Sequence, residues 1–499
     1  MAEAVTIAAP THPLKLSLTR LSVPMPAGTP RPALARSHHT LTVLSNKAFI
    51  FGGIDASGTP CPPGIHTLTL PTSEATPNPP STATEIASSS SSSSTTTTTL
   101  PGVQESTAPS TSSYFISYPP YALHDDATGE LLLPCARSDH AACARGPDGR
   151  YLLIHGGRLA EGHGHQASHD DDGNNENEDD DGGSNRLWQW DASLLRWTRL
   201  PGMTQLGESM AAPRWGHWIF WDRDEADEMN PDGFVILIGG RPGGARSRKS
   251  ESGGTDEPGG TETQAWMYDL HSGAWTALPA LPARPLAAAY MGRRVYALSR
   301  AAEDGACAAR TAVHFLDMRE SAVQREKPGA LVWTTVPANS RSHGRGRGQG
   351  QDQGPGPEPR EGGALIPLTT GHGREYLVYL LGCSENPSGE TRFHSDIWTL
   401  QLPARKHSIA SAVDKLRGTF MPHRDTGEFR WAEAEIVPTE QGTGEEKAYP
   451  GPRAMFGADT CLNGRGVVLW GGINANGETE SDGWLLRPAY GHADHERAE

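Results

Sequence analysis

The chain runs to 499 residues yet holds only six cysteines, none in a C-x-x-C pair. Cys61, Cys135, Cys143, Cys307, Cys383 and Cys461 are scattered, which excludes a disulfide-dense scaffold or a zinc ribbon and reads as reduced thiols. Long apolar runs are missing as well. No segment approaches the roughly 18 apolar residues a spanning helix needs. The N-terminal MAEAVTIAAPTHPLKLSL lacks the basic start and apolar core of a secretory signal. The one Asn-x-Ser/Thr triplet, Asn386-Pro387-Ser388, is blocked by its proline. These absences lead us to expect a cytoplasmic protein, with the nucleus still open.

Positive charge is also short. The net charge of −16 gives a field that repels nucleic acid and anionic membrane, so neither is expected as a partner. Catalytic signatures are missing: there is no G-x-S-x-G, no H-E-x-x-H and no P-loop. From residues alone we expect no cofactor, no metal and no catalytic residue.

Glycine and proline are abundant, at 57 and 40 residues, which calls for many turns and short elements. The glycines recur in one context. FIFGGI, YLLIHGGR, VILIGGR and VVLWGGI each run strand-forming residues into a doublet: Gly52–Gly53, Gly156–Gly157, Gly239–Gly240 and Gly471–Gly472. A degraded copy, YLLGC, ends at Cys383. Upstream of each run stands an arginine: Arg36, Arg137, Arg214, Arg284, Arg360 and Arg453. The first three are followed three positions later by His39, His140 and His217. Successive arginines lie ~70–100 residues apart, too far for a solenoid but suited to a four-stranded unit with variable insertions.

A second signature follows the glycines. LWQWDASLLRW places Trp188, Asp191 and Trp197 at the offsets that AWMYDLHSGAW gives Trp266, Asp269 and Trp275. Alternating apolar residues, a polar turn and a tryptophan describe a β-hairpin. Each unit therefore reads as strand a after the arginine, strand b into the glycines, strand c at the first tryptophan and strand d at the second. Six units are counted, at about 31–120, 134–202, 213–281, 284–337, 360–437 and 450–488. The sixth lacks its fourth strand, while LKLSLTRL at 14–21 is a strand to spare, so the N-terminal strand is expected to close the ring and remove its open edges.

These repeats resemble the kelch-repeat family of β-propellers, over about residues 14–488 and most clearly in units two and three. The resemblance implies an all-β fold: a six-bladed propeller of four-stranded antiparallel blades. It does not imply a chemistry. In that fold the glycines serve a sharp backbone turn at positive φ, and the tryptophans fill the space between blades. The three strand-a histidines recur once per blade rather than converging, which favours core hydrogen bonding over a metal site.

Four segments of low complexity interrupt the repeats, at about 71–113, 159–186, 242–263 and 338–360, with a polar tail at 489–499. They bury too little to offset ordering entropy and are expected to be disordered. One holds His163, His165 and His169 beside Asp170, Asp171 and Asp172, a set that binds zinc, nickel or copper weakly or else is a solvated acidic loop. Another holds the RGRG run at Arg345–Gly348, read as a flexible linker rather than a phosphate cradle.

In an antiparallel blade, the b–c and d–a connections emerge on one face. The repeated arginines and the ends of the glycine runs share that face, and Arg158 and Arg241 follow the glycines directly. Two readings stand: a structural role, with each arginine held by a carbonyl or aspartate, and an arginine-rich mouth that captures an acidic or phosphorylated protein segment. The function expected is that of a non-catalytic interaction scaffold. The enzyme alternatives are a copper-radical oxidase similar to galactose oxidase, or a metal-dependent propeller acting on a small molecule. Nothing marks the Cys–Tyr pair that the former needs.

Overall fold

The computed structural model describes residues 13–21, 34–71, 115–118, 123–124, 131–146, 149–159, 186–201, 211–223, 230–242, 261–301, 310–319, 331–336, 356–370, 373–386, 388–403, 429–437 and 447–489. Strands dominate. Blade one pairs Thr40–Leu44, Lys47–Phe51, Ile65–Thr69 and Phe115–Tyr118 in that order, antiparallel throughout. Blade two repeats it with Ala141–Arg145, Tyr151–His155, Leu187–Asp191 and Arg196–Arg199. Blade three uses Trp218–Asp222, Phe234–Ile238, Ala265–Asp269 and Trp275–Leu278. Blade four uses Pro285–Met291, Arg294–Arg300, Thr311–Asp317 and Thr334–Val336. Blade five uses Ala364–Thr369, Glu375–Leu380, Ile397–Gln401 and Arg430–Glu433.

Blade six closes the ring as expected. Gly457–Cys461, Gly466–Trp470 and Gly483–Pro488 are joined by the N-terminal strand Lys15–Leu21, in a register that sets Leu18 opposite Leu486. The fold is a six-bladed β-propeller. One boundary moves: Glu435–Val437, expected in blade five, pairs parallel with Lys15–Ser17 and forms a fifth strand on blade six.

Why these sequences fold this way is visible in the core. Strands b are buried on both faces, so they read as unbroken apolar runs such as FVILI, whereas outer strands alternate. Hydrophobic clusters lie between blades, one at each of the six junctions. That between blades one and two packs Phe49, Phe51 and Ile65 against Trp188, Trp190 and Trp197. That between blades five and six includes Leu16 and Leu18 of the closing strand. Trp197 meets Phe51 at 5.2 Å between ring centroids, and Trp275 meets His155 at 5.7 Å, so both strand-d tryptophans pack against the preceding blade. The aspartate of the c–d turn is also explained. Asp191 Oδ1 accepts the amides of Ser193 at 2.8 Å and Leu194 at 3.1 Å, the local bonding that lets Asp fix a turn.

The sequence expectations about the low-complexity segments fall mainly outside the described residues, and with them His163, His165, His169, Asp170, Asp171, Asp172 and the Arg345–Gly348 run. Two expected boundaries are corrected. Thr261–Thr263 forms a short 3-10 turn whose Thr263 carbonyl accepts Leu281 N–H at 2.8 Å. Pro357 accepts from Thr311 Oγ1 at 2.7 Å, so the chain is ordered before Arg360 is reached.

Candidate functional site

The repeated arginine does not begin strand a. In blades one, two, three and six it opens a separate two-residue strand that pairs with the residues just after the glycines: Arg36–Ser37 with Ile54–Asp55, Arg137–Ser138 with Arg158–Leu159, Arg214–Trp215 with Arg241–Pro242, and Arg453–Ala454 with Ile473–Asn474. The guanidinium turns into the wall. Arg36 Nη1 donates to the Gly52 carbonyl at 3.1 Å, Arg137 to Gly156 at 2.9 Å, Arg214 to Gly239 at 3.0 Å and Arg453 to Gly471 at 3.0 Å. In blade five, Arg360 takes the Leu381 carbonyl at 3.2 Å and grips Asp396 bidentately at 2.6 and 3.0 Å.

The doublet completes the staple. Gly53 N–H donates to the Arg137 carbonyl of the next blade at 2.8 Å; Gly157 reaches Arg214, Gly382 reaches Arg453 and Gly472 reaches Arg36, each at 2.9 Å. Gly52 and Gly53 have φ of +61° and +92°, and a Cβ on Gly52 would lie 2.5 Å from the Arg137 carbonyl oxygen. Conformation and space both demand glycine. The degraded copy keeps the same backbone: Leu381 stands at φ +47° and Gly382 at +98°.

The expectation that Arg36, Arg137, Arg214 and Arg453 ring an open mouth is therefore corrected. All four are essentially fully buried, and beyond the glycine carbonyls Arg214 donates to Gln264 Oε1 at 3.0 Å and Arg453 to Asp482 Oδ1 at 2.6 Å. Burial lowers the basicity of Arg137 and Arg214 to about 10, so they remain cationic at neutral pH. The strand-a histidines are buried beside them. His140 Nε2 pairs with Thr40 Oγ1 of blade one at 2.8 Å, and His217 Nε2 with His155 Nδ1 at 3.0 Å. Among the described residues no group of three His, Cys, Asp or Glu is placed to hold a metal ion.

A second chain of bonds runs along the rim of this face. Met455 N–H donates to Gly362, His38 to Met455, Asp139 to His38 and Gly216 to Asp139, at 2.8–2.9 Å. All five residues have left-handed φ, from 54° to 64°. The chain links blades five, six, one, two and three and stops at blade four, which has neither the glycines nor the two-residue ladder. Both the arginine staple and the rim chain are interrupted on either side of blade four among the described residues.

Three further arginines on this face are partly exposed, Arg158 at the junction of blades two and three and Arg241 and Arg284 beside the gap. Arg158, Arg241 and Arg284 have side chains 53%, 38% and 38% exposed. The Arg158 guanidinium carbon lies 3.5 Å from the centroid of Trp215, and that of Arg241 lies 5.0 Å from the same ring. Arg158 Nε points toward Asp139 Oδ2 at 3.7 Å, and Asp139 Oδ1 lies 4.0 Å from His38 Nε2. Its two Nη nitrogens have no partner among the described residues. Arg241 and Arg284 enter a closed four-member network: Glu262 lies 3.4 Å from each, and Glu361 lies 3.4 Å from Arg241 and 3.0 Å from Arg284. Burial lowers the His38 pKa and the Arg158 charge lowers it further, against the pull of Asp139.

Of the site residues read from sequence, then, the structure brings Arg158, Arg241 and Arg284 together and turns the other four inward. Trp215, Asp139, Glu262 and Glu361 were missed. Trp215 carried a usable signal, since it directly follows a repeated arginine where other units have Ser, Pro, Glu or Ala. Glu262 and Glu361 carried none, because their meeting depends on how blades three, four and five are set against one another.

No family model matches the chain, and no curated protein matches it. Among solved structures it is similar to one described as "Structure of YjhT", at 12% identity and a TM-score of 0.43, over 90% of this chain and 94% of that one.

Proposed function

We propose that this propeller is a non-catalytic, kelch-type interaction scaffold that captures an acidic or phosphorylated protein segment on the face carrying Arg158, Trp215, Arg241 and Arg284. The observation that carries this reading is the state of Arg158. Its guanidinium sits over the Trp215 ring and its Nε is drawn to Asp139, while its Nη nitrogens have no partner among the described residues and the side chain is half exposed. A guanidinium fixed in this way loses little conformational entropy on binding a carboxylate or phosphate bidentately. Asp139, Glu262 and Glu361 balance the charge of the three arginines on this face, so the reading rests on the donors that Arg158 leaves unused and not on a net positive field.

The test is capture from a cell extract with the wild type, Arg158→Glu and Arg158→Ala, followed by mass spectrometry and direct titration of the partner recovered. Loss of the same partner in both variants, with melting temperature unchanged, is the expected result. Retention of every partner by Arg158→Glu overturns the reading. Stoichiometric copper or iron in the purified protein overturns its non-catalytic part.

A further inference from the structure

The four-member network shows how Arg241 and Arg284 are held. Two guanidinium groups, from Arg241 and Arg284, are bridged twice, each time by a carboxylate whose two oxygens are divided between them. The bridges are anchored differently. Glu361 is fixed by its backbone, which exchanges two hydrogen bonds with Cys383 at 2.7 and 2.8 Å. Glu262 rides on the three-residue turn Thr261–Thr263, at the edge of the insertion.

We infer that Glu262 is an intramolecular competitor: its carboxylate occupies the Arg241–Arg284 pair, and the ligand group that displaces it is a dianionic phosphoryl. The inference rests on the reading of this face as an anion-binding surface. Exchanging one carboxylate for another is close to isoenergetic, because the charge lost by the pair equals the charge gained. A phosphoryl group brings nearly two negative charges and three acceptor oxygens, more charge and more acceptors for the arginine pair than the carboxylate it displaces. Glu262 thus raises the threshold so that singly charged carboxylates, Asp and Glu side chains included, are rejected. Glu361 stays, holding Arg284 in place.

The test is calorimetric titration of acetyl-phosphoserine-amide and acetyl-glutamate-amide into the wild type, Glu262→Gln, Glu361→Gln and Arg158→Ala. Removing two half-exposed ion pairs predicts binding of the phosphoserine compound about three- to tenfold tighter in Glu262→Gln, without tightening in Glu361→Gln. The wild type is expected to bind the glutamate compound at least about tenfold more weakly than the phosphoserine one. Equal tightening by Glu262→Gln and Glu361→Gln reduces the effect to charge removal and overturns the competitor. An unchanged affinity in Glu262→Gln with a lowered melting temperature makes Glu262 structural and also overturns it, while binding that Arg158→Ala abolishes leaves the parent reading standing. Equal affinity of the wild type for both compounds overturns the phosphoryl class. No binding of either compound to any protein overturns the parent reading itself.

Discussion

Arg158 sits over Trp215, its guanidinium carbon 3.5 Å from the ring centroid, while Arg137, one ladder position away in the same blade, is sealed inside the wall. The two arginines come from one two-stranded ladder, in which Ser138 pairs with Arg158 and Arg137 with Leu159. Neighbouring positions of a ladder point to opposite sides, so one guanidinium meets carbonyls and the other meets solvent.

That contrast predicts opposite outcomes for the same substitution. Arg137→Ala removes donors to the Gly156 and Cys135 carbonyls and empties a buried volume. It is expected to cost about 3–5 kcal/mol or to prevent folding. Arg158→Ala is expected to change stability by less than about 0.5 kcal/mol. Urea unfolding of both variants checks the pair. A small loss in Arg137→Ala would remove the staple from the account of the fold.

At the glycine turn, Gly52→Ala sets a methyl against the Arg137 carbonyl at 2.5 Å and His140 Cε1 at 2.8 Å, in a left-handed conformation. Severe destabilisation is expected. The reverse change in blade five is less obvious. Leu381→Gly relieves a left-handed leucine, a gain of about 1–2 kcal/mol. Leu381 is fully buried in the junction between blades five and six, and losing such a side chain costs about 3–5 kcal/mol. The burial term wins, so Leu381→Gly is expected to lower the melting temperature. A rise would show that strain dominates there.

Acid sensitivity has two opposing sources with different windows. Burial, then the Arg137 charge, lowers the His140 pKa to about 3 from an ordinary 6.5. The unfolded chain therefore binds the extra proton first, and stability is lost as pH falls from 6.5 toward 3. His39 and His217 are shifted the same way, chiefly by burial. Each such histidine contributes about 1.4 kcal/mol per pH unit inside the window. The stability gap between wild type and His140→Gln should narrow from pH 7 to pH 5.

Asp459 behaves oppositely. Burial raises its pKa to about 6 from 3.8 even though Val43 and Thr460 amides both donate to it at 2.7 Å. The folded protein holds this proton more tightly, so the stability it confers falls as pH rises from 3.8 to 6. Asp459→Asn should gain on the wild type across that window and then run parallel to it. Gaps that stay constant with pH would contradict either assignment, and denaturation series at half-unit intervals measure both.

Much of the architecture was legible because the ring asks for the same thing at each junction. A turn with positive φ packed against the next blade needs glycine, so the doublets recur. A flat apolar surface between blades needs a large side chain, so the tryptophans recur. Glu435–Val437 was misplaced because a short parallel strand on an outer edge has no turn or period to mark it. Blade four was counted without its glycines, yet what their loss leaves open could not be read from the chain.

The sequence by itself determined the number of blades, the order of strands within them and the closing role of residues 15–21, since each depends on local pattern and on counting. It also brought the arginines to one face. Which way each guanidinium turns was decided only by the tertiary structure, through the register of ladders two residues long and the presence of a carbonyl within reach. The same holds for the Arg241–Glu262–Arg284–Glu361 network. Its members lie on three blades, and only the packing of those blades brings their charges within 3.4 Å.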